Sequence, residues 1–335
     1  MAFPSSEIQA SDLGLEHLAA LEQTISNVLS TELAFETFAQ VIDGIPTRDA
    51  CFDYYLPTPR PEYSQNLKPS NDANQILQTF HGSFYVGMLR FRSNTAQAYQ
   101  DTPLWSGGFR LRLMELVAVA CHNIAVELYI KAGGGIQKPA PLPPKPRSHP
   151  LLRPPPPNIT ELFHEAYEDH EQYPNGIADI VGYWAEYRLF GGVVLFDRGE
   201  SRLECKSAFI HPIKARRIYQ LSDQQIDGFC TFVSSKHSHE YTRSYSTRFQ
   251  AEHYARRVDL FDSMALGIYR DVHERKLPDP RQRRCVIHPE DDPVLFEQMR
   301  KFSRVPFAEQ VFKGPMDTAR EELSLTCGDL VIREG

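Results

Sequence analysis

Residues 179–212 read DIVGYWAEYRLFGGVVLFDRGESRLECKSAFIHP. The first twelve are apolar on nearly every side, the glycine pair Gly191-Gly192 stops the helix they predict, and residues 193–196 form a Val/Leu/Phe run suited to a strand. A turn, Asp197-Arg198-Gly199-Glu200, leads through residues 207–210 to a second strand that ends in His211-Pro212. This helix, strand, turn and strand can build one wall of a pocket, with ionisable groups at its rim. Residues 217–221 read as a third strand, and Ser222-Asp223 caps a helix running through Val233. With no βαβ alternation and no internal repeat, the fold class is α+β: mostly helical, with a small antiparallel sheet of about three strands in the C-terminal half.

Working back toward the N-terminus, Asn158 stands three residues before Glu161, and a helix from there to about Gln172 would bury Leu162, Phe163, Ala166 and Tyr167. Pro174-Asn175-Gly176 breaks the chain before the helix at 177–190. The 138–158 segment carries ten of the 25 prolines, Pro139 and Pro157 among them, and reads as a polyproline connector. It divides the chain into a helical half, 1–137, and an α+β half, 159–335. Its PxxP spacing also fits a docking ligand for a protein partner with an aromatic groove.

The strongest helix is 109–131, apolar on most sides and stopped by Gly133-Gly134-Gly135. Residues 11–43 carry Leu15, Leu18, Leu21, Ile25, Val28 and Leu29 at helical spacing and end at Gly44. Residues 71–100 resume that spacing, weakened at Gly82 and Gly87, whereas 52–69 is a proline- and aromatic-rich surface crossing. Toward the C-terminus, 247–254 reads as helix, 258–269 as helix or strand, 294–302 as a short amphipathic helix and 323–332 as a final strand.

The chain has 335 residues, 41% hydrophobic and 24% charged, and a formal charge of -7. That balance is globular and offers no broad basic field for nucleic acid. The short clusters Arg216-Arg217, Arg256-Arg257 and Arg281-Gln282-Arg283-Arg284 read as solvated faces. Six dispersed cysteines with no CxxC pair suggest free thiols in a reducing compartment. The N-terminus lacks a basic region followed by an apolar run, and the apolar segment 113–130 is interrupted by Glu115, His122, Asn123 and Glu127, a poor membrane span. A cytoplasmic or nuclear location is expected, with no membrane partner.

No sequence motif calls for a cofactor. Gly133-Gly134-Gly135 follows a helix and lacks GxGxxG spacing, and Gly199-Glu200-Ser201-Arg202-Leu203 misses the nucleophile elbow. His164 with Glu168 and Glu171 reads as the charged solvent face of a helix rather than HExxH, and His237-Ser238-His239-Glu240 with His253 reads as loop rather than metal ligands. The convergence of acid, base and cation is expected in the opening stretch. Asp179 and Glu186, seven apart, share a helix face, and burial would raise a carboxyl pKa there while pairing with Arg188 or Arg198 would lower it. The candidate site is Asp197, Glu200 or Glu186 for proton transfer, Arg198 as anion partner and His211 as orienting or acid–base group. This predicts a metal-free enzyme or binding protein for a small organic molecule. The rival is a non-catalytic interaction protein that docks through its proline-rich segment; a nuclear regulatory factor has only the arginine clusters behind it.

Four segments, Leu195-Phe196-Asp197-Arg198-Gly199-Glu200, Phe209-Ile210-His211-Pro212, Tyr219-Gln220-Leu221-Ser222-Asp223-Gln224-Gln225 and Tyr269-Arg270-Asp271-Val272-His273-Glu274-Arg275-Lys276, resemble parts of an uncharacterised family of filamentous-fungal proteins. The likeness spans mainly residues 160–280, with His273 where a tryptophan is expected. It implies a fungal intracellular setting and, by association, an accessory role in specialised metabolism, but no particular activity.

Overall fold

Thr31 turns the predicted 11–43 helix into two. Helix α1 (Leu15–Leu29) ends where the Thr31 hydroxyl donates to the Val28 carbonyl and accepts from the Ala34 amide, so that Thr31 is extended and caps α2 (Glu32–Asp43). The expected stop at Gly44 is a left-handed cap. The computed structural model describes residues 7–52, 65–137, 159–235 and 246–271, together with residue 274. All lie in the unit Met1–Lys276.

The 71–100 region also divides. Helix α4 (Asn71–Ser83), after the short α3 (Arg48–Phe52), is capped by Ser70; the chain then extends as β2 (Arg90–Arg92), which pairs antiparallel with β1 (Glu7–Gln9), and continues as α5 (Ser93–Gln100). Burial of Leu89 and Phe91 outweighs the helical spacing there. Helix α6 (Gly107–Lys131) starts at a Ser106 cap and is packed on by α1, α2, α5, α7 (Ile177–Phe190) and α8 (Asp223–Ser234). Among the described residues α6 is long and apolar enough to cross a membrane, and most of it is enclosed by these neighbours.

The sheet has the order β6-β5-β4-β3-β7, all antiparallel: β3 (Val193–Asp197), β4 (Ala208–His211), β5 (Arg217–Gln220), β6 (Arg257–Asp259) and β7 (Ile268–Tyr269). The three predicted strands are β3 to β5. The ambiguous 258–269 stretch supplies most of β6 and all of β7, with one helical turn, Leu260–Ser263, between them. Gly191 caps α7 with φ 84°, and a Cβ there would lie 2.4 Å from the Phe249 carbonyl oxygen. That approach occurs because 246–250 is irregular chain, the Phe249 amide donating to the Phe190 carbonyl, where the sequence predicts helix from 247.

The helix predicted to begin near Glu161 is irregular apart from a 3-10 turn at His170–Gln172. Leu162, His164, Tyr167 and Tyr173 all point inward, a spacing that no single helix face provides. His164, predicted on a solvent face, is fully buried. One continuous core draws on Leu21, Phe38, Leu116 and Ile124 before the proline-rich segment and on Trp184, Phe196 and Ile210 after it, so the two predicted halves share a core instead of dividing at 138–158. The docking segment itself, the 294–302 helix and the 323–332 strand lie outside the described residues.

Helix α8 offers a local check. Gly228 is exposed and an added Cβ would meet nothing within 4 Å. Gly228→Ala is expected to stabilise the protein by about 0.5–1 kcal/mol, read as a higher urea midpoint with an unchanged m-value.

Candidate functional site

Two helices carry polar pairs seven residues apart, two helical turns, and one member of the first pair lies between the two members of the second. On α6 they are Glu115 and His122; on α7 they are Asp179 and Glu186, with Gly182 between them. The His122 ring occupies the notch at Gly182, where a Cβ would come within 2.6–2.7 Å of three ring atoms. From that notch Nδ1 donates to Glu186 Oε1 at 2.8 Å and Nε2 to Asp179 Oδ1 at 3.0 Å. A ring donating from both nitrogens is an imidazolium. Tyr183 meets it edge-on at 4.6 Å.

Arg270, just beyond β7, adds a second cation. Its guanidinium pairs with Glu186 Oε1 and lies 5.1 Å from the centre of the Tyr183 ring. Its 3.4 Å approach to His122 Nδ1 is a contact between two donors, since that nitrogen already gives its proton to Glu186. The second carboxylate oxygen of Glu186, fully buried, has no hydrogen-bond partner among the described residues. Asp179 is held from the other side by the backbone and side-chain amides of Asn175, at 2.7 and 3.0 Å.

The electrostatics follow from this geometry. Burial alone would lower the His122 pKa, but its hydrogen bonds to Asp179 and Glu186 raise it overall. Burial would raise both carboxyls; hydrogen bonding and charge from His122 lower Asp179, and the Arg270 charge followed by His122 lowers Glu186. The His122 contribution to stability is therefore complete below its unfolded pKa of about 6.5 and is lost as pH rises through the raised folded value. The carboxylate contributions are complete above about pH 4.3 and are lost as pH falls through the lowered folded values. Stability from this cluster is expected to peak between these limits. His122→Asn should remove the alkaline decline, measured as urea midpoints from pH 5.5 to 9.

A second buried network joins the first. Glu115 accepts from Arg112 at 2.7 Å and from Arg198 at 2.6 Å; Arg198 also donates to the Tyr269 and Arg270 carbonyls, and Arg112 to that of Leu203. Arg270 thus links the networks through its backbone on one side and its side chain on the other.

The expected site does not assemble. Register places His211 opposite Val193, at the far end of β3 from Asp197, about 13 Å away at strand rise. His211 is buried between the Tyr167 hydroxyl, 3.0 Å from Nδ1, and the Ala215 carbonyl, 2.9 Å from Nε2; in the neutral ring Nε2 donates to Ala215 and Nδ1 accepts from Tyr167. Asp197 accepts from the Gly199 amide, Glu200 is exposed, and Arg198 turns inward to Glu115. Of the expected site only Glu186, with the Asp179 that shares its helix face, lies in the His122 cluster, and Glu186 pairs not with Arg188 or Arg198 but with His122 and Arg270. Both were missed, as was Glu115. The matching seven-residue spacings of charged groups in two apolar helices were the available signal.

A shallow surface groove of about 380 Å³ runs between Arg90 and the Asn123–Lys131 face of α6, with Asn175 separating it from Asp179. Burial pushes the Cys230 thiol up to about 12 and raises Cys121 and Cys205 further, so none of these three is a ready nucleophile. Among the described residues no group of three or more His, Cys, Asp or Glu side chains is arranged to hold a metal ion. His253 is exposed and the stretch at 237–240 lies outside the described residues. Comparison with known proteins finds no family that matches the chain, no similar curated protein and no similar solved structure.

Proposed function

We propose that the protein binds a small organic molecule at the cluster formed by α6, α7 and the β7 end, without a metal. One observation carries this: Glu186, a fully buried carboxylate, keeps an acceptor oxygen with no hydrogen-bond partner among the described residues, while the Arg270 paired with its other oxygen lies over the Tyr183 ring. Leaving a buried acceptor unsatisfied costs about 1–3 kcal/mol, more for a charged group, a cost that a ligand donor would offset. Binding is favoured over acid–base catalysis because His122 has both nitrogens committed to carboxylates and none left for a substrate. Any proton acceptor would have to be Glu186 itself.

The reading includes an intracellular fungal setting and an accessory role in specialised metabolism, for which the sequence resemblance is the support. Thermal unfolding against a panel of small amines, amides, alcohols and acids tests the site. A ligand at about 100-fold its Kd should stabilise wild type by about 2.7 kcal/mol and leave Glu186→Gln unmoved. No shift with any member, or an equal shift in both proteins, would remove the assignment. Metabolite profiling of a deletion strain tests the setting.

A further inference from the structure

Arg270 directly follows the shortest strand of the five-stranded sheet. Strand β7 contributes two residues to the sheet, Ile268 opposite Asp197 and Tyr269 opposite Phe196. Ile268 also packs into a core cluster, and polar ties of this segment include Arg198 to the Tyr269 and Arg270 carbonyls, Arg92 to Asp271, Tyr173 to the Glu274 carbonyl, and the Glu274 carboxylate to the Arg270 amide. Ile268, Tyr269 and Glu274 are buried, and the Arg270 guanidinium reaches furthest toward α7, its side chain 7% exposed.

The chemistry around that guanidinium is complete on one side and unfinished on the other. Tyr183 offers its face, itself stacked on Tyr167 at 4.6 Å and packed on Tyr173 at 5.4 Å. Glu186 offers a carboxylate, but Arg270 engages only Oε1, and Oε2 has no partner among the described residues. A guanidinium matches a carboxylate best through two parallel hydrogen bonds. Arg270, tethered by its backbone to β7, makes the pairing with one oxygen.

We infer that the Tyr183–Glu186 cage is a recognition site for a small guanidinium compound, and that Arg270 is its occupant in cis, so that the segment around β7 is an autoinhibitory strap. A free guanidinium reaches both Glu186 oxygens and displaces Arg270. This rests on the reading that the α6–α7 cluster binds a small organic molecule and names the chemical class it takes.

The test uses the full chain and ethylguanidinium, with ethylurea as the neutral isostere. Arg270→Ala is expected to bind ethylguanidinium at least tenfold more tightly than wild type by calorimetry, to ignore ethylurea, and to lose binding on adding Glu186→Gln. A folded Arg270→Ala that binds neither compound, or both equally, overturns the inference. Should Arg270→Ala fail to fold, hydrogen exchange of wild type decides: ethylguanidinium must speed exchange at the Ile268–Tyr269 amides while α6 is unchanged, and unaltered exchange overturns the strap. A neutral ligand that depends on Glu186 would sink the guanidinium assignment and leave the small-molecule site standing, whereas no ligand of any kind would remove both.

Discussion

Gly182→Ala is expected to destabilise the protein by about 2–4 kcal/mol, although alanine is the better helix former. Helix propensity favours alanine by about 1 kcal/mol in a helix interior. Against this, the new methyl group would stand 2.6–2.7 Å from His122 Cε1, Nδ1 and Nε2. The ring is held between two carboxylates and cannot swing aside without leaving Asp179 short of a cation and taking one of two cations from Glu186, both in a buried setting. Breaking a buried ion pair by removing one partner costs about 3–5 kcal/mol, which sets the sign. Urea unfolding measures the difference. The informative control is His122→Ala: with the ring gone, adding Gly182→Ala should become neutral or mildly stabilising. If Gly182→Ala is equally harmful in both backgrounds, the notch is not what the glycine is for.

Glu115→Ala is expected to cost about 3–5 kcal/mol. Its carboxylate is the shared partner of two guanidiniums whose side chains are 9% and 6% exposed, Arg112 and Arg198. Truncation leaves two buried cations with carbonyl acceptors but no counter-charge. Glu115→Gln retains an acceptor and should cost less. Because Arg198 also holds the Tyr269 and Arg270 carbonyls, the loss should be visible locally as faster hydrogen exchange at β7 than at β4. A cost below about 1 kcal/mol for Glu115→Ala would mean that both guanidiniums reach water, since exposed pairs contribute about that much.

Both effects fall on residues outside the set that the sequence singled out. His211, Asp197 and Arg198 follow one another closely along a predicted hairpin, and nearness in sequence suggested a shared pocket. Antiparallel register separates them: residues at opposite ends of paired strands face different neighbours however short the hairpin. Glu186 was recognised as a carboxylate whose environment would decide its role, but its partners come from residues 64 and 84 positions away.

Local chemistry was enough for much of the fold. The apolar run of α6, the Gly44 and Gly191 stops, the Ser222 cap and the three central strands are each written in a few adjacent residues, and each appears where those residues place it. Segments whose local signal was weak or conflicting went elsewhere. Residues 159–172 have helical spacing, yet burying Tyr167 against His211 and His164 beneath it requires an irregular path. Strands β6 and β7 exist because β5 and β3 present edges to pair with, which no local propensity reports.

The sequence by itself determined that this chain is an α+β protein with an apolar central helix and a carboxylate pair on a second, equally apolar one. Only the tertiary structure decided that His122 lies in the Gly182 notch between those carboxylates, with Arg270 beside it. The reason is physical: turns, caps and strands are set by neighbours along the chain, whereas a buried charge takes whichever opposite charge the packing of distant elements brings within hydrogen-bond reach.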